Sequence, residues 1–313
     1  MKPPIAQRGV ALIQVLLIFA LVTTLATHIV YRQSLTIATT QYTLQQAQGK
    51  AWLYSIEALA MADLALDLGG LSDEETWGEW SPEFALDAEA DIGNAQWRIH
   101  PLQQRFNLNW LHPDADRPDA QAQLERLLEL EGYSPAWAQR AADWMDSRSG
   151  AEFEYRLLTP GYRPSFLPLA DPSELRLLEP QNGTLEPLAL GEWGTMLPLW
   201  APLDLARATE NMIRALHPDI DQSHWQALEG VRRNGMVGPE DWLGLEIMEP
   251  FLEILNPDDF THEGEFYLME ARVEFLEQLL YLTSWIHRDP SGEMRVYQRH
   301  HLPIIETGTT VDN

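Results

Sequence analysis

Carboxylates are the side chains this sequence has in excess. Its 313 residues carry 47 Asp and Glu against 21 Lys and Arg, a formal net charge of −26. Carboxylates in pairs can move protons, and several on one loop can hold calcium, which takes six to eight oxygens. Here no spacing selects a catalytic pair. Asp114, Asp116 and Asp119 lie close together, as do Asp258 and Asp259. Neither group has the glycine and terminal glutamate of an EF-hand loop, and both read as turns or caps. The chain has no cysteine, which excludes disulfides, thiolate metal sites and thiol catalysis. His262-Glu263 lacks the second histidine of a zinc-protease helix, and His300-His301 is a tail pair. No G-x-S-x-G, P-loop or G-x-G-x-x-G occurs. The residue types therefore read as those of a protein that is not an enzyme. The strongly acidic surface repels nucleic acid phosphate. Arg232 and Arg233, in a stretch that resembles a helix-hairpin-helix module (Ala227 to Gly238), are the one contrary sign.

The elements that must position these groups begin with the first thirty residues. Lys2 and Arg8 precede an apolar run from Val10 to about Val30, uncharged apart from His28, and no acid occurs before Glu57. About 20 apolar residues suffice to cross a bilayer, and positive charge stays on the cytoplasmic side. The run is longer than a secretory h-region and has no small-residue cleavage site after it. It therefore reads as a retained single-pass anchor with its N-terminus on the cytoplasmic side and the remainder across the membrane. From Tyr31 to Leu68 there is no proline, and Trp52, Ile56, Leu59, Ala60 and Leu64 recur at helical spacing. Gly69-Gly70 is a stop. One helix over 10–68 would be roughly 85–90 Å long.

Beyond it, residues 71–93 read as an acidic loop. Gln96 to His100 alternate as a strand. In the run from Tyr267 to Phe275, Tyr267, Met269, Ala271, Val273 and Phe275 share one face, and Glu270, Arg272 and Glu274 the other. Leu279 to His287 is a further β-rich run, Asp289 to Gly292 a turn, and Met294 to Gln298 a return strand. Between the strands lies a helical block, roughly 105–264. Asp119, Ser134-Pro135, Asp171-Pro172, Thr209 and Asp221 each open a helix in it. The fold class is α+β: a long helix, an antiparallel sheet and a large inserted all-α domain. Twelve tryptophans point to a real core.

In order along the chain, several segments then resemble one family. Arg8-Gly9-Val10 is similar to a prepilin peptidase site. Phe106 to Leu111 (FNLNWL) resembles an FNLNxL segment, and Asp143 to Asp146, Gly150-Ala151-Glu152 and Tyr155 resemble a DWxD…GAE…Y segment. Ser173-Glu174-Leu175, Ile213 to Leu216 with Pro218, and Glu265-Phe266-Tyr267 follow. Together they resemble the K-type minor pseudopilins of type II secretion, within the type IV pilin superfamily. Two departures stand out. Leu203 to Ala208 replaces the family's N-x-N-T-A run, and Arg148 stands where the family often has another acid.

The resemblance implies a pilin fold divided as 1–9, a leader; 10–68, the helix; 71–104 with 265–313, the sheet; and 105–264, the insert. It implies cleavage by prepilin peptidase between Gly9 and Val10, methylation, and residence in the inner membrane with the remainder in the periplasm. The implied function is that of a tip subunit which initiates or caps the pseudopilus for export of folded proteins across the outer membrane. The I-type and J-type minor pseudopilins would be its tip partners, with the H-type and major pseudopilins and the inner-membrane assembly platform as further partners. Most pilins carry glutamate at the fifth position after cleavage, which pairs with a neighbour's amine; here that position is Gln14. A buried carboxylate without a partner is costly, so a neutral residue suits a subunit with none above it. The resemblance further implies calcium in the insert, with Asp143, Asp146 and Glu152 as its ligands. The competing expectation is a membrane-tethered periplasmic enzyme or DNA-uptake module.

Overall fold

The computed structural model describes residues 8–66, 77–87, 92–178, 188, 190, 191, 193–235, 238–276 and 278–301, without side chains for 8–11. The leader's first seven residues, the Gly69-Gly70 stop and the tail from residue 302 lie outside them.

Helix α1 runs unbroken over Arg8–Leu66, 59 residues or about 88 Å. Its first half has no tertiary cover: Leu16, Phe19, Leu21 and Leu25 are exposed. Its threonines and serines satisfy themselves, since Thr23, Thr27, Ser34, Thr36, Thr40 and Thr43 each donate to the carbonyl four residues back. In the second half Leu53, Ile56, Ala60 and Leu64 are buried. Leu59, expected in this stripe, is exposed, because it lies about 100° round the helix from the stripe's centre. Leu53 takes the place assigned to it.

That stripe packs on a five-stranded antiparallel sheet. Its strands are β1 (Phe84–Ala85), β2 (Gly93–Pro101), β7 (Phe266–Phe275), β8 (Gln278–Arg288) and β9 (Met294–His300), in spatial order β1-β2-β7-β8-β9. Tyr267, Met269, Ala271, Val273 and Phe275 all face α1 as the alternation predicts, with Leu282 and Ile286 beside them. Each fully buried side chain of this size contributes about 1.5–3 kcal/mol.

Contacts along α1 fix its direction against the sheet. Gln45 approaches Gln278 at the start of β8, at 3.4 Å, and Glu57 meets Ser284 midway along it. The helix and β8 therefore run the same way. The end of β2 and the start of β7 pair there too, Pro101 opposite Tyr267 and Tyr267 opposite Ile286. The insert between β2 and β7 thus springs from the end of the sheet farthest from the apolar half of α1.

The insert has its own core, built around Trp110, Leu124, Leu127, Trp137, Trp144, Tyr155, Ile213 and Trp242. Its helices are α2 (Ala120–Leu130), α3 (Ala136–Met145), α4 (Glu152–Arg156), α5 (Glu210–Ala215), α6 (Gln222–Arg233) and α7 (Pro239–Leu243). The insert is not purely helical. Two short parallel pairs cross it, β3 (Phe106–Asn107) with β4 (Gly194–Thr195) and β5 (Leu203–Asp204) with β6 (Phe260–Thr261). Two-residue strands carry no periodicity, which is why the sequence reading missed them. Two further expectations change. Asp171-Pro172 opens a 3₁₀ helix, Pro172–Leu177, through a capping box with Glu174. Asp119 makes no side-chain cap bond to α2.

Candidate functional site

The first candidate region is where the insert is rooted. Phe106 to Leu111 leaves the sheet as β3 and a 3₁₀ turn, and its two asparagines are buried. Asn107 Oδ1 accepts from the amides of Asn109 (3.1 Å) and Leu197 (2.9 Å), while its Nδ2 donates to the Pro198 carbonyl. Asn109 donates to the carbonyls of Leu169 and Leu197, each at 2.9 Å, and accepts from the Leu169 amide at 2.7 Å. Trp110 Nε1 donates to the Ala201 carbonyl. A side-chain amide offers both a donor and an acceptor, so each asparagine completes backbone groups on separated loops. This segment does structural work rather than chemistry.

The Leu203 to Ala208 departure is resolved in a similar way. Asp204 is fully buried and accepts from the Ala206 amide (2.9 Å) and from Arg207 Nη1 (2.7 Å). Its carboxylate fixes the turn in which the family run has asparagines. Arg232 donates to the Leu205 and Ala208 carbonyls, and Arg233 to the Glu229 carbonyl in its own helix. Arg232 of the hairpin-like stretch thus turns inward and binds backbone oxygen, while Arg233 stays on the exposed face of its helix.

A second region joins α1 to the sheet's edge. Glu57, the first acid of the chain, is buried. Arg299 on β9 donates to it through Nε (2.9 Å) and Nη2 (2.8 Å), and the Ser284 hydroxyl donates to the same carboxylate. A two-pronged guanidinium–carboxylate contact is directional as well as strong. It ties the helix to the last strand of the sheet. On the opposite face, Glu270 Oε2 lies 2.6 Å from Arg98 Nε and 3.2 Å from His100 Nε2. Burial pushes the Glu270 carboxyl up, but the His100 bond and the Arg98 charge outweigh it and hold it below the usual range. Both sites came from tertiary pairing; sequence reasoning placed Glu270 on this face and did not see that it was buried.

The third region holds the implied calcium ligands, which the structure does not gather into one site. Asp143 and Asp146 line a cleft of about 450 Å³, with His112, Asp116, Arg117 and Arg148 on its walls. Glu152 is not part of that lining. Burial pushes the Asp143 carboxyl up, and its hydrogen bond from Gln139 (2.8 Å) only partly offsets this. Arg148 holds Asp146 down, through Nε to Oδ1 (3.0 Å), Nη2 to Oδ2 (3.2 Å) and its own backbone amide (2.8 Å). Glu152 Oε1 lies 2.6 Å from both Arg156 and Arg163. Among the described residues, no three His, Asp or Glu side chains form a group that could hold a metal ion. The donor set therefore does not fit calcium, because arginines already occupy two of its three carboxylates.

Of the processing and filament residues, Gly9 and Val10 fall in the first turns of α1. Gln14 lies on the bare apolar half of the helix and is exposed. That helix is long and apolar enough to cross a membrane, with a peak mean hydropathy of 2.2.

Comparison with known proteins follows the same lines. Residues 104–185, which include the asparagine root and the Asp143 to Tyr155 segment, match the family model described as type II secretion system (T2SS), protein K. A relative from Pseudomonas aeruginosa named type II secretion system protein K is 30% identical, covering 96% of this chain and 96% of its own. A second of the same name, from Klebsiella pneumoniae, is 33% identical, covering 57% of this chain and 60% of its own. Among solved structures, the crystal structure of the GspK-GspI-GspJ complex from the enterotoxigenic Escherichia coli type 2 secretion system shares the fold. The TM-score is 0.62 at 18% identity, over 84% of this chain and 99% of that one.

Proposed function

This chain belongs to the type II secretion system protein K family, and on that premise we propose that it is the subunit that starts and caps a pseudopilus at its tip. As a K-type minor pseudopilin it serves type II secretion. Its fold, a long apolar helix with an antiparallel sheet and a helical insert, is the pilin-like one. In this reading, the apolar half of α1 holds the subunit in the inner membrane with its N-terminus in the cytoplasm. After prepilin peptidase cuts at Gly9-Val10, the helix moves into the filament. The sheet and insert stand in the periplasm. They dock on the I-type and J-type minor pseudopilins, with the H-type and major pseudopilins added below. The work is mechanical and templating, without catalysis.

One observation carries the tip position: the insert grows from the end of the sheet opposite the bare half of α1. Helices of later subunits can pack along the exposed apolar half, but the 105–264 insert occupies the space a subunit above would need. Gln14 fits the same place, since a first subunit meets no amine from an earlier one. The test is co-purification of the mature full-length chain, in detergent, with its I-type and J-type partners. A stable ternary complex, to which major pseudopilin adds on one side only, is the expected result. A chain that binds neither minor pseudopilin, or incorporates along the length of filaments, contradicts the proposal.

A further inference from the structure

The segment from Arg140 to Arg163 departs from the rest of the chain in its charge. It holds four carboxylates, Asp143, Asp146, Glu152 and Glu154, and four arginines, Arg140, Arg148, Arg156 and Arg163, within a protein of net charge −26. The balance is local as well as numerical. Arg140 Nη1 reaches Glu154 at 2.8 Å, Arg148 takes both oxygens of Asp146, and Arg156 and Arg163 converge on one oxygen of Glu152. The pairs span the whole connection from α3 to α4. Arg140 is on α3 and Glu154 on α4, while Arg163 reaches back to Glu152 at the head of α4 from beyond the following turn. Among the described residues, no guanidinium lies at bonding distance of Asp143. Its side chain takes the Gln139 amide, and its backbone carbonyl takes the Ser149 hydroxyl at 3.0 Å.

Calcium takes six to eight oxygens, supplied by carboxylates, carbonyls and water, and the carboxylates it would draw on here are already engaged. Of Asp146's two oxygens, one already accepts two N–H groups and the other a third. A cation at Glu152 would lie against two guanidinium groups. An ion entering the cleft at Asp143 would meet Arg117 and Arg148 on its walls. Guanidinium is planar, stays charged at every relevant pH and matches a carboxylate with two parallel N–H donors. It can therefore satisfy acids in a loop as an ion does, and it needs no supply from solution.

We infer that in this chain the arginines take the place of a divalent cation: the α3–α4 connection is held by an internal counter-ion network and folds without metal. Arg148 is the residue on which this turns, because it closes the loop after α3 on the Asp146 carboxylate. The experiment is thermal unfolding of the full-length chain in detergent, with excess calcium and with excess EGTA. The wild type is expected to unfold at the same temperature in both. A resident ion at about a hundred times its dissociation constant would raise the midpoint by roughly 5–10 °C, and such a shift in the wild type overturns the inference. Arg148→Asp removes the guanidinium and adds a carboxylate, and its midpoint is expected to rise with calcium. Arg163→Gln, which loosens Glu152 while leaving Arg156, serves as an independent second variant and is expected to respond in the same direction, by less. If neither responds, the arginines are not what excludes the ion, and the inference fails.

Discussion

At the scale of single residues, the chain pairs several buried polar side chains with backbone groups or an opposite charge. Asn107 and Asn109 complete loop backbones, Asp204 completes a turn, and Glu57 is closed between Arg299 and Ser284. Glu270 is the instance with a pH consequence. Its carboxyl lies below the usual value in the folded chain, since the His100 bond and the Arg98 charge outweigh burial. A depressed folded value means the stabilisation is complete above the unfolded value, about 4.3, and is lost as pH falls through the folded one. Glu270→Gln should therefore cost about 1–2 kcal/mol near neutrality, and the cost should shrink as pH falls from about 5 toward 3. Midpoints of thermal unfolding for both proteins across that range would check it. Sequence alternation put Glu270 on the right face. It could not indicate burial, which depends on the Arg98 and Trp80 side chains brought over that face from other segments.

At the scale of elements, approach distances decide which residues are tolerated. Gly93 opens β2 with φ +139°, and a Cβ there would lie 1.8 Å from the Glu274 carbonyl oxygen on β7. Both the backbone angle and the contact require glycine. Gly93→Ala is expected to lower stability by about 2–3 kcal/mol and to unpair the start of β2 from the end of β7. Gly230, in mid α6, has nothing within 4 Å of its added Cβ. Gly230→Ala should therefore stabilise by up to about 1 kcal/mol. Chemical denaturation of the two variants beside the wild type separates the cases. Long periodic elements were legible in the sequence: α1, the three strands of the C-terminal meander, and most insert helices lie within a few residues of where spacing put them. Elements of two to five residues were not, because so few positions show no period. Thus β1, inside the stretch expected as a loop, β3 to β6, α4 and α7 emerge only from their partners.

At the scale of the whole molecule, α1 has two halves of different character. Its first half is apolar on every side and its second half only on the stripe that meets the sheet. The first half of such a helix suits lipid or a bundle of like helices and is disfavoured in water. The proposal that the subunit passes from one to the other predicts a mature chain beginning at Val10. N-terminal sequencing of protein from producing cells should find Val10 first, and an intact leader would contradict processing. The placement of the insert follows from sheet register and not from chain order. Because β2 ends and β7 begins at the same end of an antiparallel pair, both ends of the insert are rooted there.

The sequence by itself determined what is local or periodic: an apolar span, an alternating meander, a charge of −26, and ordered motifs sufficient for the family resemblance. These can be read because each depends on neighbours a few residues away. The tertiary structure decided which end of the sheet carries the insert, which acids are buried, and which cations face them. The family resemblance implies Asp143, Asp146 and Glu152 as a ligand set. In three dimensions Arg148 takes Asp146, and Arg156 and Arg163 take Glu152, because a carboxylate takes whichever charge the fold brings to about 3 Å, and spacing along the chain does not encode that distance.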